Sequence, residues 1–269
     1  MNLQNKDDIV VRILCIGDIV GRPGRDVLVK LLPGLKEQHR IDVVIANGEN
    51  SAGGSGITPK QSKEIFAAGV DVITLGDHVW DRPEVNELLA TQEQVIRPAN
   101  FPAGAPGKGM VVFSTANGIK IAVINLLGRS FMRYHVDCPF RVLDGLLLSL
   151  KDVTPIVVLD MHAETTSEKV AMGHYADGRA SIVFGTHTHI QTADEKILPQ
   201  GTAYITDLGM SGPYDSVIGQ TKEKIIARFL TSIPQKFEVA EGEATLHGII
   251  VEVDETTGKA LSIKRVQEK

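Results

Sequence analysis

The chain has 269 residues, with 28 Lys plus Arg against 33 Asp plus Glu and a formal charge of −5. Its 43% hydrophobic and 23% charged residues are globular proportions and exclude a disordered chain. The acidic balance argues against an extended nucleic-acid surface, so a phosphate-bearing ligand needs a local source of positive charge, such as a metal ion.

Residues 1–10 read as a flexible N-terminal extension, polar and without a signal-peptide pattern. Val11 to Gly17 is a short apolar run that predicts a buried strand ending at Asp18. Arg25 to Arg40 has helical spacing, with Pro33 expected to kink or split it. Ile41 to Ala46 is the next strand, followed by a Gly/Ser/Asn loop over Asn47 to Gly56. Thr58 then caps a helix with Pro59 at its first position. Val70 to Leu75 is a third strand, and Asp81-Arg82-Pro83-Glu84 reads as a capping box for a helix through Leu89.

Alternating strands and helices predict parallel pairing. The pattern turns antiparallel in mid-chain, where Asn117-Gly118 joins Met110–Ser114 to Ile119–Asn125. Pro139 to Leu150 reads as a helix, Pro155 to Leu159 as a strand, Glu164 to Tyr175 as a helix and Ser181 to Phe184 as a strand. Thr202 to Thr206 and Leu246 to Val253 read as strands, and Thr257-Gly258 turns the chain into Leu261 to Arg265. No repeat or linker interrupts residues 1–269, which predicts one α/β domain of two facing sheets with helices outside. Cys15 and Cys138 form neither a disulfide framework nor a zinc-knuckle spacing. No apolar run reaches the ~18 residues a membrane span needs, so the expectation is a cytoplasmic protein without membrane contact.

Five strands deliver polar donors at their carboxyl ends, the edge where α/β sheets bind ligands. They are Asp18, then Glu49 and Asn50, then Asp77 and His78, then His162, then His187 and His189. Each alone has an ordinary structural explanation as a turn residue or a core histidine. His187-Thr188-His189 says more, because residues two apart in an extended segment point the same way and can grip one site. Asp18, Glu49, Asp77, His162, His187 and His189 make six donors, with Asn50 a seventh. One zinc ion takes about four, so the set suits two divalent ions about 3.5–4 Å apart. Carboxylate and imidazole without thiolate favour Fe, Mn, Co or Zn. Such a pair polarises a phosphoryl oxygen and acidifies a water. His78, beside Asp77, suits the proton donor to a departing alkoxide.

These segments resemble a known family. Gly17-Asp18-Ile19-Val20-Gly21-Arg22-Pro23-Gly24-Arg25, Asn47-Gly48-Glu49-Asn50, Gly76-Asp77-His78, Asp160-Met161-His162-Ala163-Glu164, Gly185-Thr186-His187-Thr188-His189 and Thr206 to Asp215 are similar to the YmdB-like branch of the calcineurin-type metallophosphoesterases. The likeness spans Val11 to Arg265. It implies an α-β-β-α sandwich, two divalent metal ions with Fe first and Mn or Zn next, and hydrolysis of nucleotide phosphodiesters, usually 2′,3′-cyclic nucleotides. It implies that Asp18 and His189 hold one metal, that Glu49 bridges, and that Asn50, Asp77, His162 and His187 serve the other. It implies attack by a hydroxide that bridges the metals, with His78 as proton donor. The family motif reads Gly-Asn-His where this chain has Gly76-Asp77-His78. Ionised Asp77 lowers the net charge of two dications and their carboxylates from +2 to +1, which weakens the pull on a phosphodiester and on the proton of a bound water.

Softer substrate contacts are Tyr214, read as stacking on a base, and Arg129 and Arg133, read as phosphate contacts or surface residues. Glu164 reads as a partner that orients His162 or favours the next helix N-terminus. Gly17-x-x-x-Gly21-x-x-Gly24 is not the dinucleotide fingerprint, and no P-loop appears. Two rivals remain: a metal-dependent amidohydrolase barrel, and a catalytically weak nucleotide-binding regulatory protein. A homo-oligomer is also left open.

Overall fold

The computed structural model describes residues 10–269. The expected N-terminal extension lies outside the described residues, apart from Val10, which already belongs to the first strand. The first half of the chain forms β1 (Val10–Ile16), β2 (Asp18–Ile19), α1 (Gly21–His39), β3 (Val43–Asn47), α2 (Pro59–Ala67), β4 (Val72–Thr74), α3 (Val85–Thr91) and β5 (Val95–Ile96). Next come β6 (Met110–Ser114), β7 (Lys120–Leu127), α4 (Pro139–Leu150), β8 (Val157–His162), α5 (Thr166–Ala176), β9 (Ile182–Thr186), β10 (Lys196–Ile197) and β11 (Ala203–Ile205). The chain ends with β12 (Met210–Pro213), α6 (Lys222–Thr231), β13 (Ala244–Asp254) and β14 (Ala260–Glu268).

The strands form two sheets. The first runs β2-β12-β13-β1-β3-β4-β5, with β14 also paired to β13. The second runs β10-β11-β9-β8-β7-β6. Pairing is parallel across β1, β3, β4 and β5, and again across β7, β8, β9 and β11. The β6–β7 hairpin is antiparallel with Ser114 opposite Lys120, and Gly118 takes φ 82° in its turn.

The strand period of two builds the layers. Val11, Ile13 and Cys15 of β1 point between the sheets, where they meet Val123, Val158 and Phe184 of the second sheet. Leu14 and Ile16 point the other way, onto Leu28 and Leu32 of α1. On the far side of the second sheet, Ile124 and Leu159 pack with Leu143 of α4 and Met172 of α5. Burying one such side chain contributes about 1.5–3 kcal/mol. The result is the expected double-sheet sandwich flanked by helices. The described residues form no closed (β/α)₈ barrel, which removes the amidohydrolase reading.

Several expectations change in detail. Gly17 cuts the first strand, and Asp18 pairs with β12 rather than continuing along β13. α1 starts at Gly21 and passes through Pro33 without splitting. Pro33 removes the N–H that would reach the Val29 carbonyl, but Val29 is 47% exposed and water can serve it. Asp81 caps no helix: α3 begins at Val85, and the Asp81 carboxylate takes the Ser55 hydroxyl and the Arg133 guanidinium instead. Thr58 sits at the N-cap of α2, yet its hydroxyl meets the Gln61 side chain rather than a backbone N–H.

Candidate metal centre

The carboxyl ends of β3, β4, β8 and β9 meet at one edge of the two sheets, and β2 enters there as well. Glu49 and Asn50 follow β3, Asp77 and His78 follow β4, His162 ends β8, and His187 and His189 follow β9. One ligand atom each from Glu49, Asp77, His162 and His187 lies within 4.8 Å of the others. His162 Nε2 is 3.2 Å from Glu49 Oε1 and 3.2 Å from Asp77 Oδ1. His187 Nδ1 is 3.1 Å from His162 Nε2 and 3.3 Å from Asp77 Oδ1.

These spacings suit a cation. Donors at about 2.0–2.2 Å from one tetrahedral ion lie roughly 3.4 Å from each other. Gly76 permits the approach: a Cβ there would stand 2.3 Å from both Glu49 Oε2 and His162 Nε2. A second position adjoins this cluster. Asp18 Oδ1 is buried with no hydrogen-bond partner, and it lies 3.8 Å from His189 Nε2. Its other oxygen accepts the His187 backbone N–H at 3.2 Å.

Each of the three imidazoles is tied from behind. His162 Nδ1 is 2.9 Å from Thr186 Oγ1, which donates to Asp160 Oδ1 at 2.6 Å. The single Thr186 proton is thereby spent, so His162 carries its own proton on Nδ1 and turns the Nε2 lone pair inward. His187 Nε2 faces the Glu164 carboxylate at 3.0 Å, which leaves Nδ1 for the cluster. His189 Nδ1 donates to the Ile218 carbonyl at 2.9 Å, which leaves Nε2 facing Asp18 and Asn50. Histidines that hold metals are oriented in this way, by an acceptor on the far nitrogen.

The electrostatics point in the same direction. Burial disfavours charge on His162, yet Glu49 and Asp77 outweigh it and raise the imidazole well above its ordinary value. Burial likewise raises Glu49 and Asp77, and the surrounding imidazoles more than offset this and hold both carboxyls low. The pocket therefore stabilises a positive charge between these oxygens. A divalent cation would satisfy that demand, with the facing nitrogens of His162 and His187 as its lone-pair donors.

The His-x-His segment departs from expectation. It is not extended: His187 has φ 94° and His189 has φ 63°, in the left-handed region that disfavours branched side chains. The two rings consequently face different groups, His187 turning to His162 and Asp77, and His189 to Asp18 and Asn50. Asp207 and the buried Lys169 hold this strained turn, with Asp207 Oδ2 accepting the Thr188 hydroxyl at 2.6 Å and the Lys169 ammonium at 2.6 Å.

His78 lies at the cavity wall with Nδ1 2.8 Å from Asn50 Oδ1, and its backbone N–H donates to Glu49 Oε2 at 3.1 Å. Its Nε2 is left for the cavity, a space of about 650 Å³ that also reaches Glu49, Asn50, His187 and His189. Arg133 lines this cavity, anchored to Asp81 at 2.9 Å. Arg129 does not line it; the Arg129 backbone N–H donates to Glu168. Tyr214 does not line it either. Its ring stacks on His247 with centroids 4.4 Å apart, and its hydroxyl reaches the Met210 carbonyl. Burial raises its phenol and lowers the His247 imidazole to about 4. Glu164 contacts His187 rather than His162.

A buried polar layer behind the cluster gives no clear sequence signal. Asp160 accepts from Asn47 Nδ2 at 3.1 Å, Thr74 Oγ1 at 2.5 Å and Thr186 Oγ1 at 2.6 Å, and burial pushes its carboxyl up to about 6. These residues stand in β3, β4, β8 and β9, so the layer bolts the two sheets together under the site. Its only trace in the sequence is a polar residue inside an otherwise apolar strand.

Comparison with known proteins places the chain. The profile of the YmdB-like protein family matches residues 14–266. The chain is 50% identical over 256 residues to the 2′,3′-cyclic-nucleotide 2′-phosphodiesterase of Bacillus subtilis (strain 168), covering 95% of this chain and 96% of that protein. A solved structure of a hypothetical protein from Thermus thermophilus superposes with TM-score 0.87 and 42% identity, covering 96% of this chain and 100% of that one. A structure described as a novel phosphatase from Mycoplasma pneumoniae gives TM-score 0.90 at 36% identity, with 96% and 93% covered. Fold, donor cluster and sequence agree, and the chain belongs to the YmdB-like protein family.

Proposed function

We propose that this chain is a phosphodiesterase that opens 2′,3′-cyclic nucleotides, using two divalent cations in the cytoplasm. The observation that carries this reading is the buried Glu49–Asp77–His162–His187 cluster at the floor of a cavity whose wall holds His78. The name of the Bacillus subtilis relative supports the substrate class. Asp77, Asn50, His162 and His187 are assigned to one cation, Asp18 and His189 to the other, and Glu49 to both. Iron is the first candidate, with manganese and zinc next, as the family resemblance implies; donors that mix oxygen and imidazole without thiolate suit all three.

Bound cations supply Lewis acidity to the phosphoryl oxygens and acidify the attacking water. The chain's residues do the rest. Thr186, Glu164 and Ile218 fix which nitrogen of each histidine faces the site. Asn50 holds His78 Nδ1, so a protonated imidazole presents its Nε2–H to the departing ribose oxygen. Arg133 at the rim, already paired with Asp81, adds modest positive charge.

The test is a substrate panel: 2′,3′-cyclic mononucleotides, cyclic dinucleotides and an aryl phosphodiester, each with Fe, Mn and Zn. The expected result is the highest kcat/KM on 2′,3′-cyclic mononucleotides. Faster cleavage of cyclic dinucleotides, or tight nucleotide binding without hydrolysis in metal-loaded protein, contradicts it.

A further inference from the structure

The cavity has a second end that the chemistry above does not use. Beyond the polar floor it is walled by Val217, Ile218, Ile225, Phe229, Phe237 and Val239. Ile225 is buried and seats α6 on the body of the protein, whereas Phe229 is 81% exposed and Phe237 is 56% exposed. The Arg228 guanidinium lies over the Phe237 ring, 5.5 Å from its centroid. Two phenyl rings on one cavity wall make an apolar patch that a bound ligand can cover.

This wall is tied to the site. The Ile218 carbonyl accepts from His189 Nδ1 at 2.9 Å. Two residues on, the Gln220–Val239 bridge and the Thr221 N–H to Glu238 carbonyl bond of 3.0 Å clamp the start of α6 to the strand-like segment behind it. The Ala240 N–H to Gly219 carbonyl bond of 2.9 Å closes the same clamp. A short run of backbone therefore connects a proposed metal-site histidine to the aromatic wall, and both border one continuous space.

Resting on the phosphodiesterase reading, we infer that Phe229, Phe237 and Arg228 form the platform on which the substrate's nucleobase stacks. A nucleotide whose phosphate sits on the polar floor must place its base further along the cavity. Every base has a π-face, phenyl rings stack on it, and a guanidinium adds a cation–π contact. Stacking reads area rather than hydrogen-bond pattern, so the platform accepts all four bases and favours purines over pyrimidines. Tyr214, which the sequence offers either for this role or as part of a structural turn, is already stacked on His247.

The test compares binding of adenosine 3′-monophosphate with ribose 3-phosphate by calorimetry, in manganese-loaded wild type, Phe229→Ala, Phe237→Ala and Phe237→Leu, with sedimentation run on each. Both positions are exposed, so the fold does not depend on them. The expected result is that the affinity ratio of nucleotide to sugar phosphate falls about tenfold in each alanine variant, within the range one stacked base contributes. Phe237→Leu keeps apolar area but loses the ring, and the ratio falls there too. An unchanged ratio overturns the platform. So does a change in sedimentation without a change in ratio, which makes this face a contact between copies of the chain. Loss of the ratio in a protein that cleaves no cyclic nucleotide keeps the platform and removes the phosphodiesterase reading.

Discussion

The two ends of the cavity are built on opposite principles. At the floor, Glu49 and His162 are fully buried, and the contacts around them come from four strand ends on two sheets. At the mouth, Phe229 and Phe237 stand in solvent on one helix and the segment after it. The floor invests buried charge, which is tolerable only when paired or bound to a cation. The wall exposes apolar area, which is tolerable only when something covers it. Position at the floor is set by hydrogen bonds with fixed direction; at the wall it is set by shape and area. The floor should fail sharply when one atom changes, and the wall should fail gradually.

The largest expected effect is Glu49→Gln. It removes a charge at constant shape, and activity should fall by about a thousandfold or more with the fold retained by circular dichroism. Full activity removes Glu49 from the centre. Next, His78→Ala should lower turnover of cyclic nucleotides by about 10²–10⁴-fold without loss of bound metal. A substrate with a p-nitrophenolate leaving group needs no proton and should lose far less; equal losses on both contradict the donor role.

Thr186→Val probes the layer behind the floor. It leaves His162 Nδ1 and Asp160 Oδ1 without their shared partner, and metal affinity should drop about 10–100-fold by titration calorimetry. Thr186→Ser keeps the hydroxyl and should recover most of that affinity. The smallest effect is expected at Asp77→Asn. Asp77 Oδ1 meets His162 Nε2 and His187 Nδ1, and an amide oxygen can do the same. Metal content should hold, while turnover near neutral pH should rise several-fold as the centre gains one positive charge. Loss of a metal in this variant contradicts that charge-only role.

Much of the floor is legible in the sequence because apolar strands end abruptly at Asp, Glu, Asn or His, and parallel sheets gather those ends at one edge. What stays hidden there depends on which strand faces which. Asp160 reads as a stray acid in β8 until Asn47, Thr74 and Thr186 are seen around it. The split of His187 and His189 depends on two left-handed φ angles that residue type does not announce. The wall is almost illegible. In α6 the apolar residues Ile225, Ile226, Phe229 and Leu230 fall in one stripe about 140° wide, at about 100° per residue, yet only Ile225 is buried. The stripe marks an amphipathic helix, but nothing local says that the fold leaves Phe229 of that stripe exposed or that it borders the site. The short strands β5, β10 and β12 are missed for a simpler reason: two to four residues carry no periodicity.

The central claim is that these strand ends gather two cations. Anomalous diffraction from manganese-loaded crystals tests it directly. Two peaks about 3.5–4 Å apart are expected, one touching Asp77, His162 and His187, the other touching Asp18 and His189, with Glu49 between them. A single peak, or peaks away from these residues, would contradict it.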